Sequence, residues 1–176
     1  FPRPNLVKRI NLMADTVGGA AELISLDANE MIEASLRVTG LSDFGDRIDG
    51  DWQGRLKGLV ASLDAEADLN VMGRLQVRQE ILRCLQSRLY LTKKITDQPE
   101  ILNEEILEPF IITGTGRSGT TITLELLSQD ADSLAPIAWK AFHPTDDLGD
   151  KETLLQLTEC EQDLWLDVCP QMTAMH

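Results

Sequence analysis

The chain has 176 residues, 43% of them hydrophobic and 26% charged, enough for one compact core with a small second subdomain. Its formal net charge is −13, which repels polyanions and the anionic face of a membrane and so argues against duplex nucleic acid as a partner. Cys84, Cys160 and Cys169 form neither a disulfide framework nor a familiar zinc spacing and read as reduced cytoplasmic thiols. No apolar run reaches the roughly 18 residues of a membrane-crossing helix, and no signal peptide is visible.

The charge is divided unevenly. Residues 1–100 hold 13 basic and 15 acidic side chains, whereas residues 101–176 hold 14 acidic ones against Arg117, Lys140 and Lys151. The chain opens on Phe1 rather than Met and stops at His176 soon after Pro170, which reads as a piece of a longer protein.

In chain order, residues 26–39 predict a helix, with Asp27 as its cap, Glu30 completing a capping box and Gly40 as its stop. Residues 40–54 are rich in Gly and Asp and predict a loop anchored by Leu41, Phe44 and Trp52. A short helix is expected over 55–62, then a long one over about 65–91 capped by Asp64, with Val71, Leu75, Leu82, Leu85 and Leu89 at helical spacing. Arg74, Arg78, Arg83 and Arg88 fall elsewhere around it and read as a solvated, ion-paired face, or as a contact for an anionic ligand or partner domain. The acidic stretch 100–108 reads as a linker. Phe110, Ile111, Ile112 and Thr113, bounded by Pro109 and Gly114, predict a buried strand of a parallel sheet. Residues 120–128 predict a helix, 134–139 a second strand, 143–150 a polar loop and 151–167 a helix ended by Pro170. Trp139 and Trp165 are expected in the core or in the wall of an acceptor pocket. The fold expected is α/β: a helical N-terminal region over 1–100, then the start of a P-loop-type three-layer parallel sheet over 101–176. Such a chain leaves a sheet edge and apolar helix faces exposed, so oligomerisation or poor solubility is expected.

The chemistry is concentrated in Gly114-Thr115-Gly116-Arg117-Ser118-Gly119-Thr120-Thr121. Between a strand and a helix, such a segment offers unpaired N–H groups and the positive end of the helix dipole. Glycines let an oxyanion approach the backbone. Ser118, Thr120 and Thr121 add hydroxyl donors, and Arg117 adds a fixed positive fork. The Gly114 to Gly119 spacing matches the ATP-type loop, but Thr120 stands where that loop needs the lysine that holds the β- and γ-phosphates. The bland alternative is a glycine-rich turn without a ligand. His143 is the remaining acid–base candidate, and nothing suggests a metal site.

Residues 109–121 resemble the first signature of the P-loop sulfotransferases. The stretch Gly40-Leu41-Ser42-Asp43-Phe44-Gly45-Asp46, the helix from Gly73-Arg74 to Arg88-Leu89, Leu126 to Asp130, Ala135-Pro136 to Trp139, and His143-Pro144 are similar to flanking segments of a bacterial branch of that family. The resemblance implies that the loop grips the 5′ end of 3′-phosphoadenosine 5′-phosphosulfate. Arg117 would hold the transferring sulfonate and its bridging oxygen; Ser118, Gly119, Thr120 and Thr121 would hold the 5′-phosphate. The acceptor would be a hydroxyl or amine of a small molecule or glycan, and the 3′-phosphate would be held by residues further along than His176. Two positions depart from the pattern: Gly116 replaces the usual Pro, and Lys140 replaces the Glu that usually follows the tryptophan. A protonated lysine cannot serve as the base, so a catalytically silent binding domain competes with the transferase reading, as does an ATP- or GTP-binding P-loop protein.

Overall fold

The computed structural model describes residues 3–45 and 50–174, so Phe1, Asp46 and His176 lie outside the described residues. Eight α-helices are described: α1 (Asn5–Leu12), α2 (Ala20–Leu23), α3 (Ala28–Thr39), α4 (Trp52–Glu66), α5 (Val71–Asp97), α6 (Thr120–Leu127), α7 (Ala138–Phe142) and α8 (Lys151–Val168). Three short 3-10 turns join or follow them at Met13–Thr16, Pro99–Asn103 and Pro170–Ala174.

The helix starts follow capping chemistry. Asp27 accepts a hydrogen bond from the Glu30 amide at 2.8 Å, Asp51 from Gly54 at 2.8 Å, Asn70 from Gly73 at 3.0 Å and Asp150 from Thr153 at 3.0 Å. At the other end of α3, Gly40 is left-handed (φ 70°) and its amide closes on the Leu36 carbonyl, as a helix-terminating glycine does. Asp64 caps nothing: it lies within α4, and the long helix starts instead at Asn70.

The core forms where α3, α4 and the middle of α5 meet, around Leu26, Met31, Phe44, Trp52, Val60, Ile81, Leu85 and Leu89. Phe44 and Trp52 do anchor their loop, with ring centroids 4.5 Å apart. Leu75 turns away from this core, and Met72 and Ile81 are buried where the predicted face did not place them. Met31 and Leu89 are fully enclosed, each worth about 1.5–3 kcal/mol of apolar burial.

Arg74, Arg83 and Arg88 of α5 are not a solvated face; only Arg78 has no side-chain partner among the described residues. Arg74 is buried, donates from Nε to the Ile24 carbonyl at 2.6 Å and pairs with Asp64 at 2.7 Å. Arg88 donates to the carbonyls of Phe44 (2.6 Å) and Gly45 (3.1 Å) and sits over the Trp52 ring. Arg83 donates to the Phe142 carbonyl at 3.0 Å, stacks on the Phe142 ring and pairs with Glu80. Each guanidinium thus supplies donors to loop or helix-end carbonyls, tying other segments to one long helix.

The expected α/β architecture is overturned. No strand occurs among the described residues. Pro109–Thr113 has no regular structure, with Phe110 86% and Ile111 83% exposed, and Leu134 is fully exposed at the start of the second expected strand. Ala138 and Trp139, read as the end of that strand, open α7. The physical reason is lateral. A helix satisfies its own backbone, but a strand hydrogen-bonds only to a neighbour, and the described residues supply none. No residue between Thr92 and His143 is buried.

Candidate functional site

The loop that the sequence singled out forms a compact turn. The Ser118 amide donates to the Thr115 carbonyl at 3.2 Å. Arg117 (φ 67°) and Gly119 (φ 87°) both occupy the left-handed region, a conformation that costs a residue with a Cβ about 1 kcal/mol or more. A Cβ at Gly114 would lie 2.4 Å from Ser118 Oγ, so a larger residue there would need the serine side chain to swing aside. Gly116 meets nothing within 4 Å, so this position is open to a side chain.

Gly119 is the N-cap of α6, and no side chain caps that helix. The Gly119 carbonyl accepts from the Thr123 amide at 3.0 Å and from Thr123 Oγ1 at 2.9 Å. The amides of Thr120, Thr121 and Ile122 precede the first intrahelical bond and have no side-chain acceptor, so they are free to receive an oxyanion. The whole stretch is solvent-exposed except Thr120, which is half-buried. Arg117 makes no ion pair among the described residues. The alternation of turn and left-handed backbone around a helix start is the arrangement that gathers N–H groups into an anion-binding concavity. The loop residues Gly114 to Thr121 are therefore brought together as one unit, on open surface.

His143 lies elsewhere in the fold. It follows α7 and is buried, with Nε2 3.3 Å from Glu161 Oε2 of α8; neither atom makes an aligned hydrogen bond. No hydrogen bond or ion pair joins it to the loop among the described residues. Lys140 is exposed, with Nζ 5.5 Å above the Trp139 ring. Trp139 is half-buried, and Trp165 is 42% exposed rather than in the core. Glu125 is exposed on α6.

Around His143 the α7–α8 unit is clamped to the second half of α5. Lys94 pairs with Asp146 at 3.2 Å and Lys93 with Asp147 at 3.7 Å. The Lys94 ammonium holds the Asp146 carboxyl below the usual carboxylate range. The sequence reading missed Glu161 and this clamp, because the pairing of residues 143 and 161 arises only from how α7 packs on α8. Among the described residues no cluster of three or more His, Cys, Asp or Glu side chains is disposed to hold a metal ion, and no helix is long and apolar enough to cross a membrane. Comparison with models of protein families, with curated proteins and with solved structures finds no match.

Proposed function

We propose that Gly114–Thr121 binds the 5′-phosphosulfate end of 3′-phosphoadenosine 5′-phosphosulfate and that the protein transfers the sulfonate group to a hydroxyl or amine of a small-molecule or glycan acceptor. One observation carries this reading: the start of α6 has no side-chain cap, and its first amides follow directly on Arg117 and Gly119, both in left-handed backbone. Glycine at 114, 116 and 119 leaves the loop backbone without the Cβ atoms that would hold an oxyanion away.

In this reading Ser118, Gly119, Thr120 and Thr121 hold the 5′-phosphate through amides and hydroxyls. Arg117 faces the oxygen that bridges phosphate and sulfonate. Charge grows on that oxygen as the sulfur–oxygen bond breaks, so the guanidinium stabilises the transition state more than the bound donor. Thr120 in the lysine position of an ATP-type loop disfavours γ-phosphoryl transfer. His143 takes no step, since its Nε2 faces Glu161.

The test is titration calorimetry of the whole chain with adenosine 3′,5′-bisphosphate and, separately, with ATP. The bisphosphate is expected to bind in preference to ATP. Arg117→Ala should weaken a donor analogue that keeps the bridging oxygen by about 1.5–3 kcal/mol, as loss of a charged hydrogen bond does. Binding of ATP with no affinity for the bisphosphate would reverse the reading. One observation favours a silent binding domain: His143, the acid–base candidate, is buried against Glu161 of α8. Transfer of labelled sulfonate, tested over a panel of hydroxyl and amine acceptors, separates binder from enzyme.

A further inference from the structure

The acidic half of the chain has three cations, and one of them, Lys140, stands in the wall of a cavity of about 320 Å³. The cavity lies at the α5–α7–α8 seam, walled also by Lys94, Trp139, His143, Thr145 and Asp146, with buried Leu154 as an apolar surface. None of its lining comes from Gly114–Thr121, so a ligand in this cavity is independent of the sulfonate reading.

The charges in this wall are mostly settled internally. Lys94 is matched by Asp146, and His143 Nε2 lies 3.3 Å from Glu161 Oε2. Lys140 has no carboxylate within ion-pair distance among the described residues; its ammonium lies over the Trp139 ring. The wall therefore carries one uncompensated positive charge next to an aromatic face and a threonine hydroxyl. A volume near the lower end of the range for ligand sites suits a single-ring molecule. A dianion would meet one free cation while facing Asp146 in the same wall; a monoanion matches the charge one to one. Trp139 favours a flat ring over a saturated one, through offset stacking.

We propose that this cavity binds a small aromatic carboxylate, with its ring against Trp139 and Leu154 and its carboxylate between the Lys140 ammonium and the Thr145 hydroxyl. The chain would then hold a second small-molecule site, separate from the loop.

The experiment is a titration of the whole chain with benzoate, read by calorimetry and by the indole N–H resonances of the three tryptophans. Saturable one-to-one binding is expected, with a Kd on the order of 1 mM, and the Trp139 resonance should shift while those of Trp52 and Trp165 stay. Lys140→Gln, at an exposed position that the fold tolerates, should weaken binding about tenfold, the loss of one charge-assisted contact. Cyclohexanecarboxylate should bind more weakly than benzoate. Absence of saturable binding, unchanged affinity in Lys140→Gln, or tighter binding of phenyl phosphate than of benzoate would each overturn the proposal.

Discussion

The helical body built on α3, α4 and α5 and the stretch from residue 93 to residue 142 differ in one respect. In the body, side chains such as Met31 and Leu89 are removed from water completely. Across 93–142 not one side chain is buried, although Ile106, Leu107, Phe110, Ile111 and Leu126 are as apolar as anything in the core. Hydrophobic composition alone therefore does not make a core; it needs a facing surface. α5 provides one for α1 to α4 and, through Arg83, Lys93 and Lys94, for the segments around α7 and α8. Nothing described faces the exposed apolar side chains of 101–134. The loop on which the proposed function rests lies within that exposed stretch, where the Ser118 amide bonds locally to the Thr115 carbonyl.

The sharpest way to break this contrast is a pair of truncations. Leu89→Ala should cost about 2–5 kcal/mol, the range for emptying a filled core site, whereas Ile111→Ala should stay within about 0.5 kcal/mol, as surface changes do. Urea unfolding of both variants checks this. A cost at Ile111 near that at Leu89 would mean that 93–142 is packed in solution, and the contrast would fail.

The second effect is smaller and concerns how α5 ties loops to the body. Arg74→Ala should destabilise by about 1–3 kcal/mol, because it strips the Ile24 carbonyl of its side-chain donor in a partly buried place. Arg74→Lys should recover little, since an ammonium cannot reproduce the fork that meets Ile24 and Asp64 together. Arg78→Ala, at a half-buried position with no side-chain partner among the described residues, should be nearly silent. Equal costs at 74 and 78 would remove the distinction between clamp and surface arginines.

The smallest effect is in the acid limb. Asp150 caps α8, and the hydrogen bonds it accepts from Thr153 hold its carboxyl below the usual range. A lowered folded-state pKa means that the cap's contribution is complete above the unfolded carboxyl's value, about pH 4, and is lost as pH falls through the lowered value. Asp150→Asn keeps a capping side chain without the titration, so its thermal midpoint should fall less steeply below about pH 4. Identical acid limbs would show that the carboxylate adds nothing beyond its geometry.

Much of the helical body was legible. The cap at Asp27 and the stop at Gly40 are local signals acting within one turn, and they bound α3 as read. Phe44 and Trp52 were recognisable as anchors because large apolar groups in a polar loop need burial. The boundary between α4 and α5 was misread because Asp51, Asp64 and Asn70 are all competent caps, and the choice among them depends on which start lets both helices reach the core. The two strands failed for a different reason: an apolar β-branched run states a preference that only a lateral partner can fulfil. The helix that starts at Thr120 followed from the pattern after the glycine loop, and it appears in the structure.

What the sequence determined alone is local: the caps, the glycine turn before α6, and the concentration of negative charge after residue 100. These depend on neighbours within a few residues, so their physics is complete in the string of letters. The tertiary structure decided which apolar side chains meet a partner, that Arg74, Arg83 and Arg88 reach backbone carbonyls, and that His143 faces Glu161. Each of these joins residues brought together by packing, and burial, unlike capping, is a property of two surfaces at once.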